Sequence, residues 1–143
     1  MQLCNTLEVE APIGVVNPEA VISAFGSWPS FHDAEVHGVV LNRGSADERP
    51  SITLLLHACA GDSAWEEERD YVMVTMKCFD VSAPELRDLG PQNVLSSLDF
   101  EPVAEGLTQV TLGECYGLSG SLVCKQVLIE SVVPWRPPTD EKP

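Results

Sequence analysis

The sequence predicts an α+β domain: an antiparallel sheet of five to six strands with one N-terminal helix packed on a face. Three observations lead there. A segment with helix punctuation stands near the N-terminus, the apolar period drops from helical to two at Ala34, and turn-forming residues cut the remainder into short alternating runs. Elements that are apolar on one side must bury that side against another. One helix and several half-buried strands do so by laying the helix across the sheet.

The helix spans Asn17 to Gly26. Asn17 reads as its N-cap, Pro18 as the first helical position, Glu19 as a first-turn acid and Gly26 as its stop, with Val21, Ile22 and Phe25 on one face. The first strand follows, with Ala34, Val36, Gly38 and Val40 alternating with Glu35, His37, Val39 and Leu41 until Asn42-Arg43-Gly44-Ser45 breaks the run. Ile52, Leu54, Leu56 and Ala58 form the next inward row, and Val72, Val74, Met76 and Cys78 the row after it. Residues 61–70 read as a polar hairpin loop between them, so the three strands form a meander. Ala83 to Pro91 is a connection punctuated by Pro and Gly, with room for one helical turn, and Asn93 to Phe100 is extended chain or loop. Two last strands, Thr108 to Cys115 and Ser121 to Val133, are joined by the turn-rich Tyr116-Gly117-Leu118-Ser119-Gly120. In the last one Lys125 and Ser131 interrupt the row of Val123, Val127, Ile129 and Val133. Residues 1–133 are thus expected to form a single domain, and the Pro-rich residues 134–143 a flexible tail.

Composition narrows the function classes. At 143 residues one hydrophobic core suffices. The apolar runs fall far short of the roughly 20 residues of a membrane helix, and Met1 to Thr6 lacks the basic and apolar blocks of a signal peptide, which implies an unexported, cytoplasmic protein. The five cysteines, Cys4, Cys59, Cys78, Cys115 and Cys124, are scattered singly, so neither a disulfide framework nor a zinc site is suggested, and most read as small buried hydrophobes. A formal net charge of −14 repels nucleic acid and anionic membranes. Acidity of this degree keeps a protein soluble, and it also draws in a basic partner.

The side chains with chemical potential concentrate in Ser27-Trp28-Pro29-Ser30-Phe31-His32-Asp33-Ala34-Glu35-Val36. Trp28 and Phe31 can plug the junction of helix and sheet while Pro29 stiffens the turn. His32 and Asp33 invite comparison with metal hydrolases. Adjacent strand residues point to opposite faces, however, so these two could not grip one ion without a bulge, whereas Asp33 and Glu35 share a face. His37 and His57 are the remaining imidazoles, and both sit in runs that read as sheet. No nucleophile elbow accompanies Ser30, Cys115 or Cys124, and no phosphate-cradling Gly motif occurs, so no catalytic residue, metal or cofactor is assigned. A second acidic locus, Asp62, Glu66, Glu67, Glu68 and Asp70, surrounds Trp65 in the hairpin loop. A lone exposed Trp among acids has the composition of an interface anchor.

The stretch from Ser27 to Val36 resembles the signature of the bacterial immunity protein 50 family, small proteins encoded beside toxin genes. Gln92-Asn93-Val94-Leu95-Ser96-Ser97-Leu98 is similar to that family's second marked segment, and Gly113-Glu114-Cys115-Tyr116-Gly117-Leu118-Ser119-Gly120-Ser121-Leu122-Val123-Cys124 to its third. The resemblance implies a cytoplasmic, non-catalytic protein that neutralises a cognate bacterial toxin by stoichiometric binding, with no cofactor. Trp28, His32, Asp33 and Glu35, together with Trp65, Glu66, Glu67 and Glu68, are the residues suited to meet a basic toxin. The alternatives are a small metal-dependent hydrolase built on His32, Asp33 and Glu35, and a regulatory protein-binding module.

Overall fold

Alternation of apolar and polar residues governs more of this chain than its turn residues suggest. The structure, a computed structural model, describes residues 10–60, 71–104 and 106–135. Cys4, the acidic hairpin loop with Trp65, Glu66, Glu67 and Glu68, and tail residues 136–143 lie outside the described residues. In chain order the elements are β1 (Val15–Val16), α1 (Glu19–Phe25), β2 (Glu35–Asn42), β3 (Ser51–Cys59), β4 (Tyr71–Phe79), β5 (Ser82–Arg87), β6 (Val94–Ala104), β7 (Leu107–Tyr116), β8 (Ser119–Cys124) and β9 (Gln126–Pro134). The strands form one sheet in the order β1-β9-β4-β3-β2-β6-β7-β8-β5. It is mixed, since β1 runs parallel to β9 while the other pairings are antiparallel.

The α+β expectation, with five to six antiparallel strands, is therefore wrong. The described residues form a mainly β protein of nine strands with a single seven-residue helix. The β2-β3-β4 meander forms as expected, and its inward rows from Ile52 to Ala58 and from Val72 to Cys78 are buried. The missed strands have identifiable causes. Pro84 disguises β5, but this strand lies at the end of the sheet order, where a missing N–H costs no ladder bond on the open side. Its partner β8 approaches so closely at Gly120 that a Cβ there would collide with the Glu85 carbonyl. The apparent long last strand is two. Leu122 and Cys124 point inward from β8 and Val127 and Ile129 from β9, so the row changes parity at Lys125, whose N–H donates to the Phe79 carbonyl at 2.9 Å. The segment before it joins β7 and β5, and the segment after it joins β4 and β1.

Asn17 does not cap α1. Its backbone is left-handed at φ 63°, and its amide donates to the Ile129 carbonyl at 3.0 Å, fastening the helix entrance to β9. Gly26 closes the helix as expected: at φ 89° its N–H donates to the Ile22 carbonyl at 2.7 Å. Val21 is the fully buried contact of the helix face.

The sheet has two halves, β1-β9-β4-β3-β2 and β6-β7-β8-β5, joined where β2 meets β6. The Cys78 thiol of β4 is hydrogen-bonded to that of Cys124 in β8, although β3, β2, β6 and β7 lie between them in the sheet order. The sheet must therefore curl until its halves face each other. Leu54, Leu56 and Met76 from one half and Leu95, Leu112 and Leu122 from the other fill the space between them. The shared hydrogen bond and burial push the Cys78 thiol well above its ordinary pKa, which keeps it protonated. No helix among the described residues is long and apolar enough to cross a membrane.

Candidate functional site

The turn before β2 is built from beneath. Trp28 and Phe31, only 4% and 3% exposed, meet edge-on with ring centroids 5.8 Å apart, and the row continues to Phe25 at one end and Phe100 at the other. With these rings buried, the backbone must fold sharply to reach β2. Phe31 and Asp33 accordingly take positive φ, 64° and 69°. Hydrogen bonds hold that conformation: the Asp33 N–H donates to the Leu95 carbonyl at 2.8 Å, the His32 N–H to Ser30 Oγ at 3.2 Å, and the Leu98 N–H to the Ser30 carbonyl at 3.0 Å. Trp28 thus braces the turn, while His32 and Asp33 project from it. Their side chains are 65% and 73% exposed and pair at 3.3 Å, an interaction that water and salt screen to little net stability.

The turn is one wall of a larger joint. The Val36 N–H donates to the Asn93 carbonyl at 2.8 Å and the Leu95 N–H to the Ala34 carbonyl at 2.9 Å, sewing the first motif segment to the second. Asn93 is buried, and its Oδ1 accepts from the Gly90 N–H and the Leu118 N–H at 2.9 Å while its Nδ2 donates to the Gly90 carbonyl at 3.0 Å. Leu118 belongs to the third segment. Gly117 beside it has φ 89°, and a Cβ there would lie 2.6 Å from Asn93 Oδ1, so glycine alone fits. Three short sequence blocks, far apart in the chain, are one structural seam.

The family model described as immunity protein 50 matches residues 17–135, most of the chain and all three blocks. The chain belongs to the immunity protein 50 family. No curated protein and no solved structure matches it. The first two blocks meet where β2 joins β6, and the third is fastened to them through Asn93 and Leu118.

A second group of ionisable side chains lies on the outer face of β2 and β3 in this member of the immunity protein 50 family. Glu35 stands directly opposite His57 in the β2–β3 ladder. A bulge between Val36 and Gly38 makes His37 the extra residue of β2, which keeps it beside Glu35 on the outer face. The same bulge resets the inward row, so Val39 packs on the core while Val40 and Leu41 are exposed, against the alternation expected there. Gly38 completes the bulge where a Cβ would press on Leu55 Cδ1 at 3.1 Å. His37 Nε2 is 3.7 Å from Glu35 Oε1, and among the described residues Glu35, His37 and His57 are the three ligand-type side chains whose donor atoms all lie within 4.8 Å of one another.

Aromatic rings wall this group. Trp135 stands edge-on to both imidazoles, its centroid 4.5 Å from His57 and 4.9 Å from His37, and Tyr71 stacks on His57 at 5.0 Å and 20°. The Trp135 backbone N–H donates to the Tyr71 carbonyl at 3.0 Å, which ties the chain after β9 to the start of β4. Burial, reinforced by the neighbouring His37, pushes the His57 pKa below its ordinary value, while Glu35 and a hydrogen bond to the Trp135 backbone oppose that shift. His57 Nε2 is buried and has no hydrogen-bond partner.

The candidates read from the sequence therefore separate. His32 and Asp33 stay together on the turn, while the Glu35 carboxylate, which the alternative hydrolase reading groups with them, lies beside His37. The sequence reads His37 and His57 simply as sheet residues. They are sheet residues, and cross-strand register is what brings them together. The available signal is Glu35-x-His37, an acid and an imidazole at the same-face spacing of a strand.

Proposed function

We propose that this protein protects its producer by binding a cognate toxin in a stoichiometric, non-catalytic complex in the cytoplasm. The observation that carries the proposal is the family match over residues 17–135. The net charge of −14 supports a basic toxin surface as the partner, and the turn at His32 and Asp33 supports a place for it to dock. That turn is held by backbone bonds and a buried aromatic base, so its charged side chains lose little freedom when they meet Arg or Lys of a partner. Glu35 lies two residues beyond Asp33, and the acidic loop with Trp65, Glu66, Glu67 and Glu68 supplies the other candidate contacts.

Co-expression with the toxin encoded beside it tests the proposal. Wild type restores growth, and the purified pair associates with a rate that falls as salt rises. Reversing charge at Asp33, Glu66, Glu67 and Glu68 slows association about tenfold or more in a variant that still folds. Growth rescue without a detectable complex would refute direct neutralisation, and unchanged association kinetics in the charge-reversal variant would exclude the acidic surface as the docking face.

A further inference from the structure

We propose that Glu35, His37 and His57 form a binding site for one divalent transition-metal ion, zinc being the reference case, held by two imidazole nitrogens and one carboxylate oxygen. The site shares Glu35 with the candidate toxin contacts but does not rest on toxin binding. Its donor set is the first support. Imidazole together with carboxylate suits zinc and its first-row neighbours, and three protein ligands leave a further position for water or another donor.

The geometry is the second support. Glu35 and His57 face each other across one ladder, and the bulge at His37 adds a third donor on the same face, all within 4.8 Å. Ligands bound to zinc at about 2.0–2.2 Å in a tetrahedral arrangement sit roughly 3.4 Å apart. The 3.7 Å between His37 Nε2 and Glu35 Oε1 is already close to that, and a donor nitrogen of His57 lies within 4.8 Å of both.

The surroundings are the third support. A metal-binding histidine commonly fixes one ring nitrogen on a backbone carbonyl and presents the other to the ion. In His57, Nε2 is buried without a hydrogen-bond partner, while the ring interacts with the Trp135 backbone. Trp135 and Tyr71 hold the imidazole planes in place. A cavity of about 400 Å³, bounded by Leu89, Gly90 and Asn93, opens beside two of the three donors, Glu35 and His37.

The test uses the full chain, stripped with a chelator and titrated with zinc chloride by calorimetry. One saturable equivalent at micromolar or lower Kd is expected, with a rise in Tm. His37→Ala and His57→Ala each weaken binding about tenfold or more, whereas His32→Ala does not. Should an alanine variant fail to fold, His37→Gln and His57→Gln serve in its place, and wild type alone still decides the matter. Cobalt in place of zinc gives an absorption spectrum without thiolate bands, and zinc shifts the imidazole ¹⁵N resonances of His37 and His57 but not those of His32. Absence of saturable binding overturns the proposal. So does binding that survives both substitutions, a thiolate signature in the cobalt spectrum, or a shift centred on His32.

Discussion

Strand β2 has two sides with different physical characters. Its inner side and backbone belong to the seam, where Ala34 and Val36 are buried and bonded to Asn93 and Leu95, and where each sequence block completes another's hydrogen bonds. Its outer side carries Glu35 and His37 beneath Trp135, with a buried imidazole nitrogen that lacks a partner. The seam commits its polar groups to one another. The outer face leaves donors converging on a point, which is the condition for binding something else. In this chain the buried members of the first block, Trp28, Phe31, Ala34 and Val36, hold the fold, while Glu35 between the last two turns outward.

Substitutions can break this contrast. The strongest response is expected at the base of the seam, where Trp28→Ala removes a buried ring that touches Phe31 and Phe100. A loss of about 3–5 kcal/mol in urea unfolding is predicted, and a loss below about 1 kcal/mol would mean the turn does not depend on its aromatic base. Asn93→Ala comes next. It strands the Leu118 N–H in a buried position and frees both polar groups of Gly90, a predicted loss of about 2–3 kcal/mol by the same assay. On the outer face, His57→Leu with a chelator present is expected to stay within about 1.5 kcal/mol of wild type, because the apolar side chain removes a buried nitrogen that had no partner. A loss as large as that of Asn93→Ala would make His57 a structural residue like those of the seam. The weakest response belongs to the exposed pair: His32→Ala with Asp33→Ala should change stability by less than about 1 kcal/mol, while the association rate with toxin falls.

How much of this is legible in the sequence depends on which physical constraint a residue obeys. The meander can be read because β3 and β4 keep strict alternation with one face buried. The motif segments can be read because backbone constraints demand particular residue types, glycine at Gly117 and an amide at Asn93. The fold class escapes for local reasons. Pro84 is tolerated at a sheet edge, the row of β8 and β9 changes parity at Lys125, and β1 is only two residues long and defined by its partner β9. The outer-face cluster escapes because the β2–β3 register, which has no fixed spacing in sequence, is what brings His57 to Glu35 and His37. Asn17 shows the same limit on a small scale. A good capping residue finds a better partner in Ile129, far away in the chain.

If the protein acts by occupying a toxin and transforms nothing, its effect must scale with its amount. Titrating it into a fixed quantity of the neighbouring toxin while following toxin activity decides this. Inhibition should grow in proportion and become complete near one equivalent, with no recovery of active toxin and no modified product. Complete inactivation by a small fraction of an equivalent, increasing with time, would reveal turnover and contradict the stoichiometric reading.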